Sequence, residues 1–136
     1  MNTPVQDAKI AEPTQKPQYI YKIVPEAPPS PLPTEFPLSD LDRNDGFIHL
    51  STAEQVLNTA NLFFATTTTL HLLKLPYAPL ASSMKWEFPP SGTFPSAFPH
   101  LHGRNFGAAD VGDVKGFERA EGQLWSEVLG GDAWLV

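Results

Sequence analysis

Proline limits what this chain can fold into more than any other residue. The 136 residues include 15 prolines, about twice the usual share. Six of them fall between residues 25 and 37, where they exclude a regular helix because proline lacks an N–H and fixes φ. The sequence therefore predicts a loop-rich fold with short strands and an extended, proline-rich insert at 25–37.

The remaining patterns predict one α+β domain behind a disordered tail. Residues 1–18 are polar and aperiodic, so we expect them to be disordered. Residues 19–136 have the length of one domain, with a C-terminal extension from about residue 110. Alternating or β-branched segments predict a small, strongly bent mixed or antiparallel sheet. Its strands are expected at 19–24, 46–50, 66–75 (central, because it is apolar on both faces), 84–88, 98–103 and 111–119.

One main helix is predicted directly after the second strand. Apolar residues recur with a helical period, which predicts a helix over about 52–64. Ser51 and Glu54 fit a capping box at its start. The turn-forming residues of 39–45 predict a loop before the strand. A short second helix is expected at 121–129, with Gly130 and Gly131 able to adopt a left-handed cap.

Composition excludes several classes of function. The net charge of −6 and the lack of a basic stripe disfavour nucleic acid as a partner. No cysteine is present, so disulfide and thiolate chemistry are excluded. No apolar run approaches the roughly 20 residues that a membrane span needs. We therefore expect a cytoplasmic protein that binds a small molecule, with neither membrane nor nucleic acid as a partner, and the oligomeric state stays open.

The strand predicted before the main helix places a titratable ring among apolar residues. Side chains alternate along a strand, so Ile48 and Leu50 face one side. The other side carries Phe47, His49 and Ser51. A neutral imidazole offers a ligand one donor and one acceptor. His49 is thus a candidate site residue, and the alternative is a histidine that only bonds loop carbonyls.

Glu87, His100 and His102 are further candidates. His100 and His102 share a face if their segment is extended, and Glu87 faces away from its neighbour Trp86. A carboxylate in a cleft could act as a general acid or base or stabilise a developing cation. The alternative is an exposed carboxylate paired with Arg104.

Three other assignments follow from residue type. Histidines and a carboxylate suit zinc or iron, but His-x-His is common by chance and no denser ligand spacing occurs, so no metal is favoured. His71 lies in a strand of leucines and is expected to be structural. Ser51 and Thr52 are expected as helix caps, although N–H groups at a helix start could also bind a phosphate or a ribose hydroxyl.

Three segments carry a resemblance to a known family. They are DGFIHLST at 45–52, KWE at 85–87 and FPHLHG at 98–103, and IYKI at 20–23 also fits. On these residues the chain resembles domain-of-unknown-function family 952 (DUF952) over about residues 19–106. The proline-rich insert and the chain after about residue 110 differ from the compact members. Many members also have tyrosine where this chain has His102.

The resemblance implies a distant similarity to the ADP-ribosyltransferase fold, in which a split mixed sheet surrounds an NAD cleft. It implies NAD as a cofactor, with His49 on the ribose and Glu87 stabilising an oxocarbenium-like transition state. His100 would line the site as a proton carrier, and an aromatic ring from Tyr77, Trp86 or Phe98 would stack on nicotinamide. The expected catalytic residues are His49, Glu87 and His100. The expected ligand-binding residues are Phe47, Ser51, Thr52, Trp86, His102 and Arg104.

These expectations leave three functions open. The first is NAD-dependent transfer or hydrolysis of ADP-ribose. The second is acid–base isomerisation or hydrolysis of a small molecule by the same His and Glu residues without NAD. The third is a metabolite-binding module without catalysis.

Overall fold

Two three-stranded antiparallel sheets form the framework of the protein. The computed structural model describes residues 12–90 and 96–136. The first sheet has the order β1 (Tyr19–Val24), β3 (Thr69–Pro76) and β6 (Asp113–Glu118). The second has the order β2 (Ile48–His49), β5 (Phe98–Leu101) and β4 (Met84–Glu87). The α+β class is confirmed, and all the strand pairs within these ranges are antiparallel.

Short helices complete the described part of the chain. They are α1 (Asp40–Asp45), α2 (Ala53–Phe63), a 3₁₀ helix (Ala78–Ser83) and α3 (Trp125–Leu129). The predicted main helix at 52–64 is confirmed as α2. None of the helices in 12–90 and 96–136 has the length and apolar character needed to cross a membrane.

Strand β3 is buried on both faces, as its apolar sequence predicts. Leu70 and Leu72 pack under α2 and α3, in a cluster that includes Val56 and Trp125. Leu73 and Leu75 pack on the opposite side, against the second sheet and the 3₁₀ helix. The buried leucines of β3 therefore join the helical layer to the layer that carries the second sheet.

A single β-bridge joins the two sheets in the described ranges and shifts the start of α2. Tyr21 and Ser51 exchange backbone hydrogen bonds of 2.8 and 3.0 Å. Ser51 is thereby held in extended structure, so the predicted capping box of Ser51 and Glu54 is wrong. Thr52 is the N-cap instead, and it forms the capping box with Gln55 through bonds of 3.0 and 3.2 Å.

The predicted loop at 39–45 is also wrong, because residues Asp40–Asp45 form α1. The Ser39 hydroxyl accepts a hydrogen bond from the Asp42 N–H at 3.1 Å, which satisfies one of the free N–H groups at the helix start. Gly46 ends the helix with φ 82°, a left-handed conformation that glycine adopts readily. The helix thus ends directly before β2.

The C-terminal prediction needs two smaller corrections. The helix expected at 121–129 begins only at Trp125, because residues 120–123 form a turn closed by bonds between the Gln123 N–H and the Ala120 carbonyl and between the Ala120 N–H and the Gln123 side chain. Gly131 takes the left-handed conformation with φ 82°, whereas Gly130 has φ −64°. The strand predicted at 111–119 is confirmed as β6.

The proline-rich insert contains no helix and is fixed along a later loop. Phe36 and Phe106 stack with ring centroids 5.2 Å apart, and the Phe36 N–H donates to the Phe106 carbonyl at 2.8 Å. A Cβ on Gly107 would lie 1.6 Å from the Thr34 carbonyl oxygen, so only glycine fits there. Of the tail predicted to be disordered, residues 1–11 lie outside the described residues.

Candidate functional site

The face of the second sheet turned away from the core brings together side chains from all three strands. The registers place His49 opposite His100 in β2 and β5, with Glu87 at the end of the neighbouring β4. The rings of His49 and His100 have centroids 5.0 Å apart. His49, Glu87 and His100, three separate candidates in the sequence, therefore converge on one surface.

Glu87 connects two of the histidines through a single carboxylate oxygen. Its Oε1 lies 2.7 Å from His100 Nδ1 and 2.9 Å from His102 Nε2. An ionised carboxylate only accepts, so both imidazole nitrogens must carry a proton. In the neutral rings the basic lone pairs then lie on His100 Nε2 and His102 Nδ1. Glu87 thus selects the tautomer of each ring.

Burial and hydrogen bonding set the charges of this group. Burial raises the pKa of Glu87, but the hydrogen bonds from His102 and His100 outweigh that effect and lower it. Burial lowers the pKa of His100, and the adjacent Glu87 carboxylate offsets only part of the shift. At pH 7 the cluster therefore contains an ionised Glu87 and a neutral His100.

Phe47 lies at the centre of the three imidazoles. Its ring centroid is 4.6 Å from that of His100 and 4.7 Å from that of His102, in stacked geometry. The His49 ring is 4.8 Å away and tilted. Phe47 therefore packs against all three imidazole rings.

His49 is oriented by two carboxylates that were not among the candidates from the sequence. Asp42 Oδ1 accepts from His49 Nδ1 at 2.7 Å and from the His49 backbone N–H at 3.1 Å. Asp45 Oδ2 lies 2.9 Å from His49 Nε2, and its side chain is 41% exposed. Both acids belong to α1, so the helix that was predicted as a loop supplies the partners of His49.

Lys22 completes this arrangement from the first sheet. Its Nζ donates to Asp42 Oδ2 at 2.6 Å and to the His49 carbonyl at 3.2 Å. Burial raises the pKa of Asp42, but the bonds from His49 and Lys22 more than reverse this and lower it to about 2. Asp42 is 2% exposed and fully ionised at neutral pH. His49 is thus held by a buried anion that is itself neutralised by Lys22.

Two sequence signals could have revealed these residues. Ser39 followed by Asp42 fits the spacing of a capping box, which predicts a helix start rather than a loop. Lys22 interrupts an otherwise aromatic and aliphatic strand on the same face as Ile20. A buried lysine requires a carboxylate partner, and Asp42 is that partner.

The other predicted residues lie elsewhere. Trp86 packs on the core face of β4 and donates from Nε1 to the Tyr77 hydroxyl at 3.0 Å, opposite the histidines. Ser51 lies in the β-bridge and Thr52 caps α2. The alternative pairing of Glu87 with Arg104 is wrong, because Arg104 binds Asp110 at 2.8 Å.

Glu87, His100 and His102 offer ligand atoms within 4.8 Å of one another, a set that could hold a metal ion. Zinc needs its nitrogen and oxygen ligands about 2.0–2.2 Å from one point. The two imidazoles instead converge on one carboxylate oxygen with N–H donors. A metal would therefore require deprotonation of both nitrogens and rearrangement of the cluster, whereas the present geometry suits proton transfer.

Comparison with known proteins places this site within a family. The family model described as "Protein of unknown function (DUF952)" matches residues 32–114. That segment contains every side chain of the cluster, and Lys22 lies outside it. No curated protein matches the chain.

Solved structures of one other protein are similar to this chain. The crystal structure of protein CC0527 from Caulobacter crescentus, a structural genomics target, is 31% identical with a TM-score of 0.62. The match covers 75% of this chain and 88% of that one. The solution structure of CC0527 gives 30% identity and a TM-score of 0.63, over 79% of this chain and 90% of that one.

Proposed function

The chain belongs to the DUF952 family, and from the geometry of its own site we propose that it is a small-molecule enzyme that works by acid–base catalysis. The reaction class is isomerisation or hydrolysis without NAD. The observation that carries the proposal is the pair of hydrogen bonds from His100 and His102 to one oxygen of Glu87.

His100 is the proposed general base. Glu87 keeps the proton on Nδ1, which leaves the Nε2 lone pair available, and burial keeps the ring neutral near pH 7 by lowering its pKa. A base of this kind needs a pKa near or below the working pH so that it is unprotonated. Glu87 acts on His100 as a positioning residue, as a carboxylate does in other carboxylate–histidine pairs.

His49 is the proposed proton donor. Its ring lies edge-on to His100, with centroids 5.0 Å apart, so one substrate can contact both rings. Asp42 accepts a hydrogen bond from Nδ1, while Nε2 lies 2.9 Å from the half-exposed Asp45. One imidazole can then remove a proton while the other supplies one to a substrate that lies against both rings and beside Phe47.

Solvent-isotope incorporation tests this function even while the substrate is unidentified. The protein is incubated with a pool of metabolites in D₂O and, separately, in H₂¹⁸O, and mass spectrometry follows the label. We expect a compound to gain deuterium or ¹⁸O only when wild-type protein is present. The label should disappear with His100→Asn and persist with His71→Asn, a histidine in the other sheet. Incorporation that His100→Asn leaves unchanged would sink the proposal.

NAD-dependent transfer or hydrolysis of ADP-ribose is a second candidate, favoured by one observation. Glu87 is ionised and 40% exposed, so its carboxylate could approach a developing oxocarbenium ion. This function needs Glu87 rather than His100 at the reacting carbon. Release of nicotinamide from NAD that is lost in Glu87→Gln and retained in His100→Asn would favour it over the first candidate.

A further inference from the structure

A groove next to the histidine cluster has the shape and charge of a ligand site. Its volume is about 290 Å³, and its walls are α1 on one side and the loop after β5 on the other. Ile48 and Leu101, both buried, lie beneath it. Phe47 belongs to the groove and also stacks on His100, so a ligand in the groove borders the cluster.

The charged lining of the groove is cationic. Arg43 and Arg104 line it from opposite walls, and among the described residues the only acid that lines it is Asp42. Both oxygens of Asp42 are already engaged, one by His49 and the other by Lys22. Asp42 is therefore neutralised by Lys22, and the other charged residues that line the groove are the two arginines.

Each arginine donates to a backbone carbonyl and also forms an exposed ion pair with an acid. Arg43 donates to the Leu38 carbonyl at 3.1 Å, and Arg104 donates to the Asn105 carbonyl at 2.9 Å. Their acidic partners, Asp40 and Asp110, do not line the groove. Exposed ion pairs of this kind contribute about 0–1 kcal/mol, so a ligand oxyanion can replace them.

We propose that this groove binds the substrate through an anionic group, a phosphate or a carboxylate, held between Arg43 and Arg104. Guanidinium groups match the planar oxygen pairs of both anions through two parallel hydrogen bonds. The apolar or aromatic body of the ligand then lies toward Phe47. That the ligand is a substrate rests on the acid–base function proposed above, whereas the binding itself does not.

Titration by ¹H–¹⁵N NMR tests the proposal with three probes: phenyl phosphate, benzoate and benzyl alcohol. We expect phenyl phosphate or benzoate to shift the amides of Gly46 and Gly103 and to bind at least tenfold more tightly than benzyl alcohol. The double variant Arg43→Gln/Arg104→Gln should weaken the anions at least tenfold and leave benzyl alcohol unchanged. Lys115→Gln is the matched control, since Lys115 is a cation of the first sheet and pairs with Asp132.

Each outcome of the titration supports or overturns the proposed anion site. Binding of phenyl phosphate alone assigns a phosphate, and binding of benzoate alone assigns a carboxylate. Equal affinity for the three probes, shifts outside the groove, or a double variant that binds as wild type would overturn the proposal. Anion binding without isotope incorporation would remove the enzymatic function and leave the groove as an anion site. Isotope incorporation without arginine-dependent binding would keep the enzymatic function and remove the anion site.

Discussion

The two sheets have the same number of strands, but the central strand of the first is buried on both faces, whereas the second carries a polar cluster on one face. In the first sheet, the leucines of β3 pack against helices on one side and the second sheet on the other. In the second sheet, Ile48 and Leu101 face the core, while His49 and His100 face outward. The buried leucines and the polar cluster thus occupy different parts of one framework.

Histidines show the difference most clearly. His71 lies in the first sheet with its ring against Gly116, and its buried Nδ1 has no hydrogen-bond partner within the described part of the chain. His49, His100 and His102 each contact a carboxylate. The three histidines of the cluster thus differ from His71 in having carboxylate partners. Substitutions in each region measure how separate the two regions are.

Replacing Asp42 by alanine should destabilise the protein most, by about 3–5 kcal/mol, because Lys22 is then buried without its partner. Urea unfolding at pH 7 measures the loss. The double variant Lys22→Met/Asp42→Leu should recover most of it, since no uncompensated charge remains. A loss below about 1 kcal/mol in the single variant would contradict a buried ion pair at the junction of the sheets.

Leu72→Ala should cost about 2–5 kcal/mol, because the fully buried side chain leaves a cavity beneath the helices. Urea unfolding gives the free energy, and NMR gives the imidazole resonances. We expect the resonances of His100 and His102 to remain as in wild type. If they shift as much as in Glu87→Gln, the two regions are not independent.

Acid should remove the contribution of Asp42 to stability. Its pKa is about 2 in the folded protein and about 3.9 in an unfolded chain. Its stabilisation is therefore fully present above about pH 5 and is lost as the pH falls toward 2, a change of roughly 2 kcal/mol. Unfolding free energies of wild type and Asp42→Asn, measured between pH 2 and 6, should converge as the pH falls. Parallel curves would show that Asp42 does not titrate this way.

Glu87→Gln should have a smaller effect on stability, about 1 kcal/mol, because the carboxylate is partly exposed. The variant should also change the pKa of His100. Glu87 raises the pKa of His100 against the effect of burial, so the variant should lower that pKa further. NMR titration of the imidazole measures it. An unchanged or raised pKa would show that Glu87 does not control the ring.

His71→Leu should change stability least, within about 1 kcal/mol of wild type. The lost imidazole leaves no partner unpaired, because its buried Nδ1 makes no hydrogen bond in the described structure. Thermal and urea unfolding measure the change, and isotope incorporation should persist. A loss above about 2 kcal/mol would indicate that His71 resembles the histidines of the cluster.

The first sheet was easier to predict from sequence than the site. The central position of β3 follows from its leucines, and α2 follows from the helical period of its apolar residues. Both are local patterns. The contact of Glu87 with His100 and His102 depends on the pairing of β4 with β5, which no local pattern states. The sequence therefore named residues that lie together in the structure, but it did not give the contacts between them.

Asp42 was missed for a different physical reason. Helix α1 has only six residues, too few for an apolar period to be visible. Its stability comes from the Ser39 cap and from the contacts of Asp42 with Lys22 and His49, of which Lys22 is distant in sequence. Short helices that depend on tertiary contacts are the elements that propensity predicts least well.

The contact between the proline-rich insert and the loop around Phe106 has a consequence for the order of folding. The Phe36 carbonyl accepts from the Asn105 side chain, 69 residues away in sequence. During synthesis the insert and β2 leave the ribosome well before that loop and β5 exist. Contacts so distant in sequence close late and slow the folding of a chain. Until then Phe36 and Phe47 lack the partners that cover them, so the nascent chain is most prone to aggregate in that interval.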